Sequence, residues 1–193
     1  MTRTRPDNYH WIALFAVSLS VITSVIDFSG ITVALPTIAD DLDLSLTAAS
    51  WIILASTLTI IAVLVPAASL SDKLGRKRSY TLGLIIFGIG AVGVAMSPNF
   101  GFVIAARIVQ SAGIGIIQTN SYAIIATVFP DNQRGKGIGV YTSSVGLAGI
   151  AGPIIGGLVV DLLGWRSFFI ITAILATVAT LAALTICPAI KDV

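Results

Sequence analysis

Six long stretches of this chain are almost free of charge, and each is long enough to cross a bilayer: Trp11 to Leu35, Ala48 to Leu70, Tyr80 to Met96, Phe102 to Val128, Ile138 to Val160 and Phe168 to Ile186. A hydrocarbon core requires about 20 mostly apolar residues per helix. The 193 residues are 56% apolar and 10% charged, with no Glu, whereas soluble domains carry roughly a quarter charged residues. There is too little polar surface to cover a soluble globule, so the solvent is expected to be lipid. Spanning strands would need alternating segments of about ten residues and a closed edge, and none of these stretches alternates. The expected fold is an all-α membrane protein, with residues 1–193 forming one domain of six transmembrane helices, called spans 1 to 6 in order.

Other classes fall away quickly. The net charge is only +2 and the basic residues sit in short connections, which is not the basic face that nucleic acid requires. Arg3 and Arg5 precede span 1, but its apolar run is too long for a signal peptide and no small-residue cleavage site follows. It reads as a retained anchor. Cys187 is the single cysteine, so neither a disulfide framework nor a metal cluster is expected within one chain. His10, the single histidine, starts span 1 and reads as an interfacial residue.

Basic residues set the orientation, because Lys and Arg near helix ends are retained on the cytoplasmic side. An inside N-terminus assigns Arg3, Arg5, Lys73, Arg76, Lys77, Arg78, Arg134, Lys136 and Lys191 to the cytoplasm and only Arg166 to the outside. Asp40, Asp41 and Asp43 then occupy the first outer loop. Both termini are expected to be cytoplasmic.

The segment SDKLGRKRSY, residues 71–80, holds five of the 11 basic and 9 acidic residues of the chain. Topology explains its cations. It does not explain Asp72, which ends a helix whose C-terminal dipole disfavours negative charge. The run DKLGR at 72–76 after span 2 is echoed by DLLGWR at 161–166 after span 5, each with a proline upstream, Pro66 and Pro153. Span 2 runs inward and span 5 outward. This pattern predicts two three-helix repeats of opposite topology, about 9–98 and 99–190, an architecture used by secondary transporters.

These residues resemble the major facilitator superfamily. Leu70, Asp72, Gly75, Arg76 and Lys77 match its signature loop between helices 2 and 3, with Ala68 in place of the leading Gly. DFSGITVALP in span 1, with Asp27, Ala34, Leu35 and Pro36, is similar to a pattern of the fourteen-helix drug:proton antiporters. RIVQSAGIG in span 4 supplies Arg107, Gln110 and Gly113 of another family motif. In span 5, Gly139, Gly152, Pro153, Gly156 and Gly157 resemble the antiporter motif, and GWRSFF at 164–169 also fits the subfamily. Ser56 departs from it, standing where Tyr is frequent.

Asp27 and Arg107 are the only Asp, Glu, Lys, Arg or His residues well inside the expected spans. Intramembrane charge is costly, so a functional role is the default reading. Their depths, roughly 12 Å and roughly 8–9 Å from the outer helix ends at the usual helical rise, would let them pair. The long Arg107 side chain could instead snorkel outward. Ser20, Thr23, Ser24 and Asp27 share one helix face, as do Arg107, Gln110, Ser111, Ile114 and Gln118. Both faces are therefore expected to line a hydrated cavity at the edge of the six-helix bundle. Burial and neighbouring charge act on a carboxyl group in opposite senses, so such an acid can bind a proton in one state and release it in another. Replacing Asp27 by Asn is expected to keep the fold, even to stabilise it, and to abolish coupling. The glycines at 135, 139, 146, 149, 152, 156 and 157 are expected to let another helix approach closely.

The resemblance implies a transporter rather than an enzyme. It would use the proton gradient and no cofactor, and export amphipathic compounds across a bacterial cytoplasmic membrane. Asp27, Arg107, Gln110, Ser24 and Gln118 would form the proton and substrate site. Asp72, Gly75, Arg76 and Lys77 would form a latch, with Asp72 facing the N-terminus of a helix like span 5 in another six-helix half. Arg76 and Lys77 would hold the loop, and the span 5 glycines would seal against proton leak. The resemblance covers an N-terminal half, so the expected partners, besides lipid, protons and a small-molecule substrate, are a second copy of the chain or another six-helix half. A truncated modulatory chain and a carrier for a polar metabolite remain the alternatives.

Overall fold

The computed structural model describes residues 9–186. Arg3, Arg5, Cys187 and Lys191 lie outside the described residues. The helices are α1 (Tyr9–Asp41), α2 (Leu46–Ala49), α3 (Trp51–Leu74), α4 (Arg76–Ala95), α5 (Phe100–Val128), α6 (Arg134–Leu163) and α7 (Trp165–Ile186). The short α2 leads into α3, so six spans result, and no strand occurs among the described residues. The helices outrun their apolar stretches, because hydrogen bonding, not hydropathy, ends them. α1 continues through Pro36 to Asp41, and the chain leaves it at Asp43, whose φ is 52°, a left-handed geometry that Asp tolerates. α5 starts where the Asn99 side chain accepts from the Phe102 amide at 3.0 Å, a side-chain cap.

The two repeats are visible in the backbone. Gly75 separates α3 from α4 with φ 88° and ψ 144°, and Gly164 separates α6 from α7 with φ 80° and ψ 159°. Both lie where essentially only glycine is at ease. An arginine follows each break and clamps the first helix of the other repeat. Arg76 donates to the Ala123 carbonyl at 3.0 Å and to the Thr127 hydroxyl on α5. Arg166 pairs with Asp41 at the end of α1 at 2.7 Å, reinforced by Trp165 Nε1 donating to the same carboxylate at 3.2 Å. Exchanging the repeats likewise exchanges the packing of α1 on α6 with that of α5 on α3. Gly75→Ala and Gly164→Ala should each cost about 1–3 kcal/mol from backbone strain. Thermal unfolding in detergent checks this, most cleanly at Gly164, where an added Cβ meets nothing within 4 Å; an unchanged midpoint would contradict it.

α1 and α5 are the most buried spans, while α3 and α6 are the least. The buried apolar side chains form two layers. One contains Val21, Phe87, Ile114 and Tyr141, the other Ile31, Ile52, Val103 and Phe169. On α1 and α5 the gap between these layers falls at Asp27 and at Arg107 to Gln110.

Candidate functional site

Within that gap the charges meet. Arg107 Nη1 donates to Asp27 Oδ2 at 2.7 Å and to Gln110 Oε1 at 2.8 Å. Gln110 Nε2 donates to Asp27 Oδ1 at 2.9 Å, closing a ring of three side chains. Arg107 Nε donates to Ser56 Oγ on α3 at 3.2 Å, and its guanidinium carbon lies 5.7 Å from the Phe169 ring centre on α7, within cation–π range. Both Asp27 and Arg107 are 0% exposed. The pair expected from helix depth therefore forms, and Arg107 does not snorkel.

A buried ion pair requires good geometry and further hydrogen bonds to offset desolvation. Here both carboxylate oxygens are bonded, whereas Arg107 Nη2 and Ser111 Oγ make no hydrogen bond among the described residues.

The expected placement of the polar faces is corrected. Ser20, Thr23, Ser24, Asp27, Arg107, Gln110 and Ser111 are all buried inside a single six-helix unit, rather than standing at its edge. α3 and α7 close over them, through Ser56 and Phe169, and the hydroxyls of Ser20, Thr23 and Ser24 donate to carbonyls of their own helix, Ser24 to that of Val21 at 3.0 Å. No second unit is needed to cover these groups. Ser24 stays outside the three-residue ring. Gln118 is only partly buried and instead lines a groove of about 410 Å3 with Phe28, Ser29, Thr57, Val145 and Gly149. This groove, not the ion pair, is the accessible recess shared by α1, α3, α5 and α6.

Asp72 is exposed and makes no ion pair or side-chain hydrogen bond among the described residues. Gly75 caps α3, its amide donating to the Ser71 carbonyl at 2.9 Å. Arg76 holds the loop on α5, while Lys77 makes no such contact among the described residues and lies in a surface recess with Arg78 and Leu184. Sequence reasoning missed a second anchor. Ser71 Oγ donates to Asn120 Oδ1 at 2.5 Å, and Asn120 Nδ2 donates to Ser79 Oγ at 3.2 Å and to the Ile116 carbonyl at 2.8 Å. The polar run QTNSY at 118–122, inside an expected span, was the available signal.

The α6 glycines divide into two faces. A Cβ on Gly156 would come within 2.9 Å of Gly30 Cα, and one on Gly152 would overlap Ser29; these two let α6 press onto α1. A Cβ on Gly157 would come within 3.3 Å of Val33 Cγ1, a tight contact, and Pro153 is partly buried. A Cβ on Gly135, Gly139, Gly146 or Gly149 would meet nothing within 4 Å, and Gly149 opens onto the groove beside Gln118. Gly137 packs against the Phe129 ring.

A multi-pass membrane bundle with a buried charge ring between two inverted repeats defines the class: an integral membrane protein with half of a major facilitator fold. Residues 17–191 match the description Major Facilitator Superfamily, and the chain belongs to that family. It is 35% identical over 178 residues to the riboflavin transporter RibZ of Clostridioides difficile (strain 630), a match covering 92% of this chain and 39% of that protein. It is 30% identical over 161 residues to a methylenomycin A resistance protein of Streptomyces coelicolor, covering 83% of this chain and 34% of the relative. The crystal structure of a bacterial homolog to the human lysosomal transporter Spinster, inward-facing and unoccupied, superposes with a TM-score of 0.79 at 20% identity, over 97% of this chain and 44% of that one. At that identity the likeness is one of fold. The chain spans less than half the length of these relatives.

Proposed function

We propose that this chain is one six-helix half of a proton-coupled transporter that exports amphipathic compounds by alternating access. The observation that carries the reading is the fully buried ring of Asp27, Arg107 and Gln110, since an acid is kept at membrane depth for a function. Protonation of Asp27 would release Arg107 and Gln110 and allow α1 and α5 to shift relative to each other. Substrate would enter the groove beside Gln118. A second six-helix unit would seat on the weakly buried α3 and α6, against the open glycines, and meet Asp72 with the N-terminus of its own α6. Such halves are related by an axis along the membrane normal; a second copy of this chain would satisfy that geometry, with Asp72 near Gly135 and Gly139. The basic end, Lys73 to Arg78 with Arg134 and Lys136, would face the cytoplasm.

Everted vesicles test these statements together. A proton gradient should drive accumulation of a cationic dye. Lys77→Cys in a Cys187→Ser background should react with an impermeant maleimide in everted vesicles and not in intact cells, and the solubilised complex should have the mass of two chains. Absence of gradient-driven accumulation refutes the exporter, labelling from outside reverses the orientation, and a transporting monomer excludes the second copy. The identity to a riboflavin transporter favours a second reading, a carrier for a polar metabolite. Gradient-independent riboflavin flux without dye transport would select it.

A further inference from the structure

The groove between α4 and α7 lies apart from the charge ring and meets the loop around Asp72 only at Lys77 and Arg78. One depression of about 410 Å3 is bounded by Leu84, Ile85, Gly88, Val92, Ala173 and Thr177. A second, of about 420 Å3, continues from the shared Ile85 through Leu82 and Leu184 to Lys77 and Arg78. Small residues make the groove: a Cβ added at Gly88 would meet only Ala176, at 3.6 Å. From Arg78 to Val92 it runs about 21 Å at the helical rise, enough for an acyl chain crossing one leaflet of a core about 30 Å thick.

Its two ends differ in chemistry. At one end Lys77 and Arg78 make no ion pair or side-chain hydrogen bond among the described residues, whereas Arg76 next to them is committed to α5. Along the rest, the polar side chains are Thr81, Thr177 and Thr180, whose hydroxyls already donate to the carbonyls of Lys77, Ala173 and Ala176. A peptide would find no partner there for its backbone groups, which lipid surroundings require to be satisfied. A hydrocarbon chain needs none.

We propose that this groove binds one anionic phospholipid, its phosphate at Lys77 and Arg78 and one acyl chain along Leu82, Ile85, Gly88 and Val92. Arg suits a phosphate because it donates in a planar fork, and a basic residue at the membrane surface strengthens anionic lipid binding about fivefold.

The test is native mass spectrometry of the full chain in mild detergent, titrated separately with dioleoyl phosphatidylglycerol and dioleoyl phosphatidylcholine. One phosphatidylglycerol should be retained, with about tenfold preference or more over phosphatidylcholine. Arg78→Gln should lower that preference about fivefold. Gly88→Leu, which fills the groove, should abolish retention of the lipid while Gly88→Ala preserves it, both eluting as folded protein on gel filtration. If Gly88→Leu does not fold, Arg78→Gln decides alone. Equal retention of the two lipids, an unaltered preference in Arg78→Gln, or undiminished phosphatidylglycerol binding in folded Gly88→Leu would overturn the proposal. So would a lipid-free dimer that Gly88→Leu dissociates, which would place a second copy in the groove.

Discussion

Arg107→Gln is expected to lower stability by about 3–5 kcal/mol, the usual cost of stripping one partner from a buried ion pair and leaving the other charge uncompensated. Asp27 loses the guanidinium on Oδ2 and keeps only Gln110 on Oδ1. By the same reasoning Asp27→Asn is expected to destabilise rather than stabilise, because Arg107 is itself completely buried and the Asn amide cannot balance its charge. The double variant should recover most of the loss, since no net charge then remains inside. Thermal unfolding of the four proteins forms a double-mutant cycle, which isolates the pair. Additive losses would mean that the two charges are not coupled. Transport should fail in all three variants if Asp27 carries the proton, and gradient-driven flux at the normal rate in Asp27→Asn would remove that role.

The second large effect is expected at Gly90. A Cβ there would overlap the backbone of Gln110, and the reciprocal contact, Gly113 against Phe87 and the Gly83 carbonyl, is equally close. Both neighbours are helix backbone and cannot turn aside, so Gly90→Ala must push α4 and α5 apart, at about 1–3 kcal/mol or more for an overpacked contact. Because Gln110 closes the ring with Asp27, the displacement should also impair transport. Gly139→Ala is the contrast. Its Cβ enters open space, so stability should be unchanged or higher by up to about 1 kcal/mol from helix propensity. A transport or leak defect in Gly139→Ala at full stability would assign that glycine to contact with the second half. Equal melting of wild type and Gly90→Ala would refute the packing account.

How much of this was legible beforehand follows from the solvent. Hydrocarbon demands about 20 apolar residues per span and internal satisfaction of the backbone, and these are local demands, written residue by residue. The six spans, the two intramembrane charges and the paired Gly-containing breaks at 75 and 164 could therefore be read directly. Helix ends were less legible, because caps such as Asn99 and the turn at Asp43 depend on hydrogen bonding rather than hydropathy.

The direction in which each face turns was not legible. In water an apolar stripe marks the side of a helix that turns inward, but lipid is as apolar as the bundle interior, so helices associate through close packing and hydrogen bonds. Nothing in the pattern of α6 distinguishes Gly156, pressed on Gly30, from Gly139, open to its surroundings. For the same reason the polar faces of α1 and α5 could be expected at the edge of the unit and prove to lie at its centre. The sequence by itself determined that Asp27 and Arg107 sit at membrane depth. Only the tertiary structure decided that they hold each other across 80 residues of chain, with Gln110 closing the ring and Ser56 and Phe169 around the arginine, because that choice rests on which backbones can approach, and small residues permit an approach without indicating the partner.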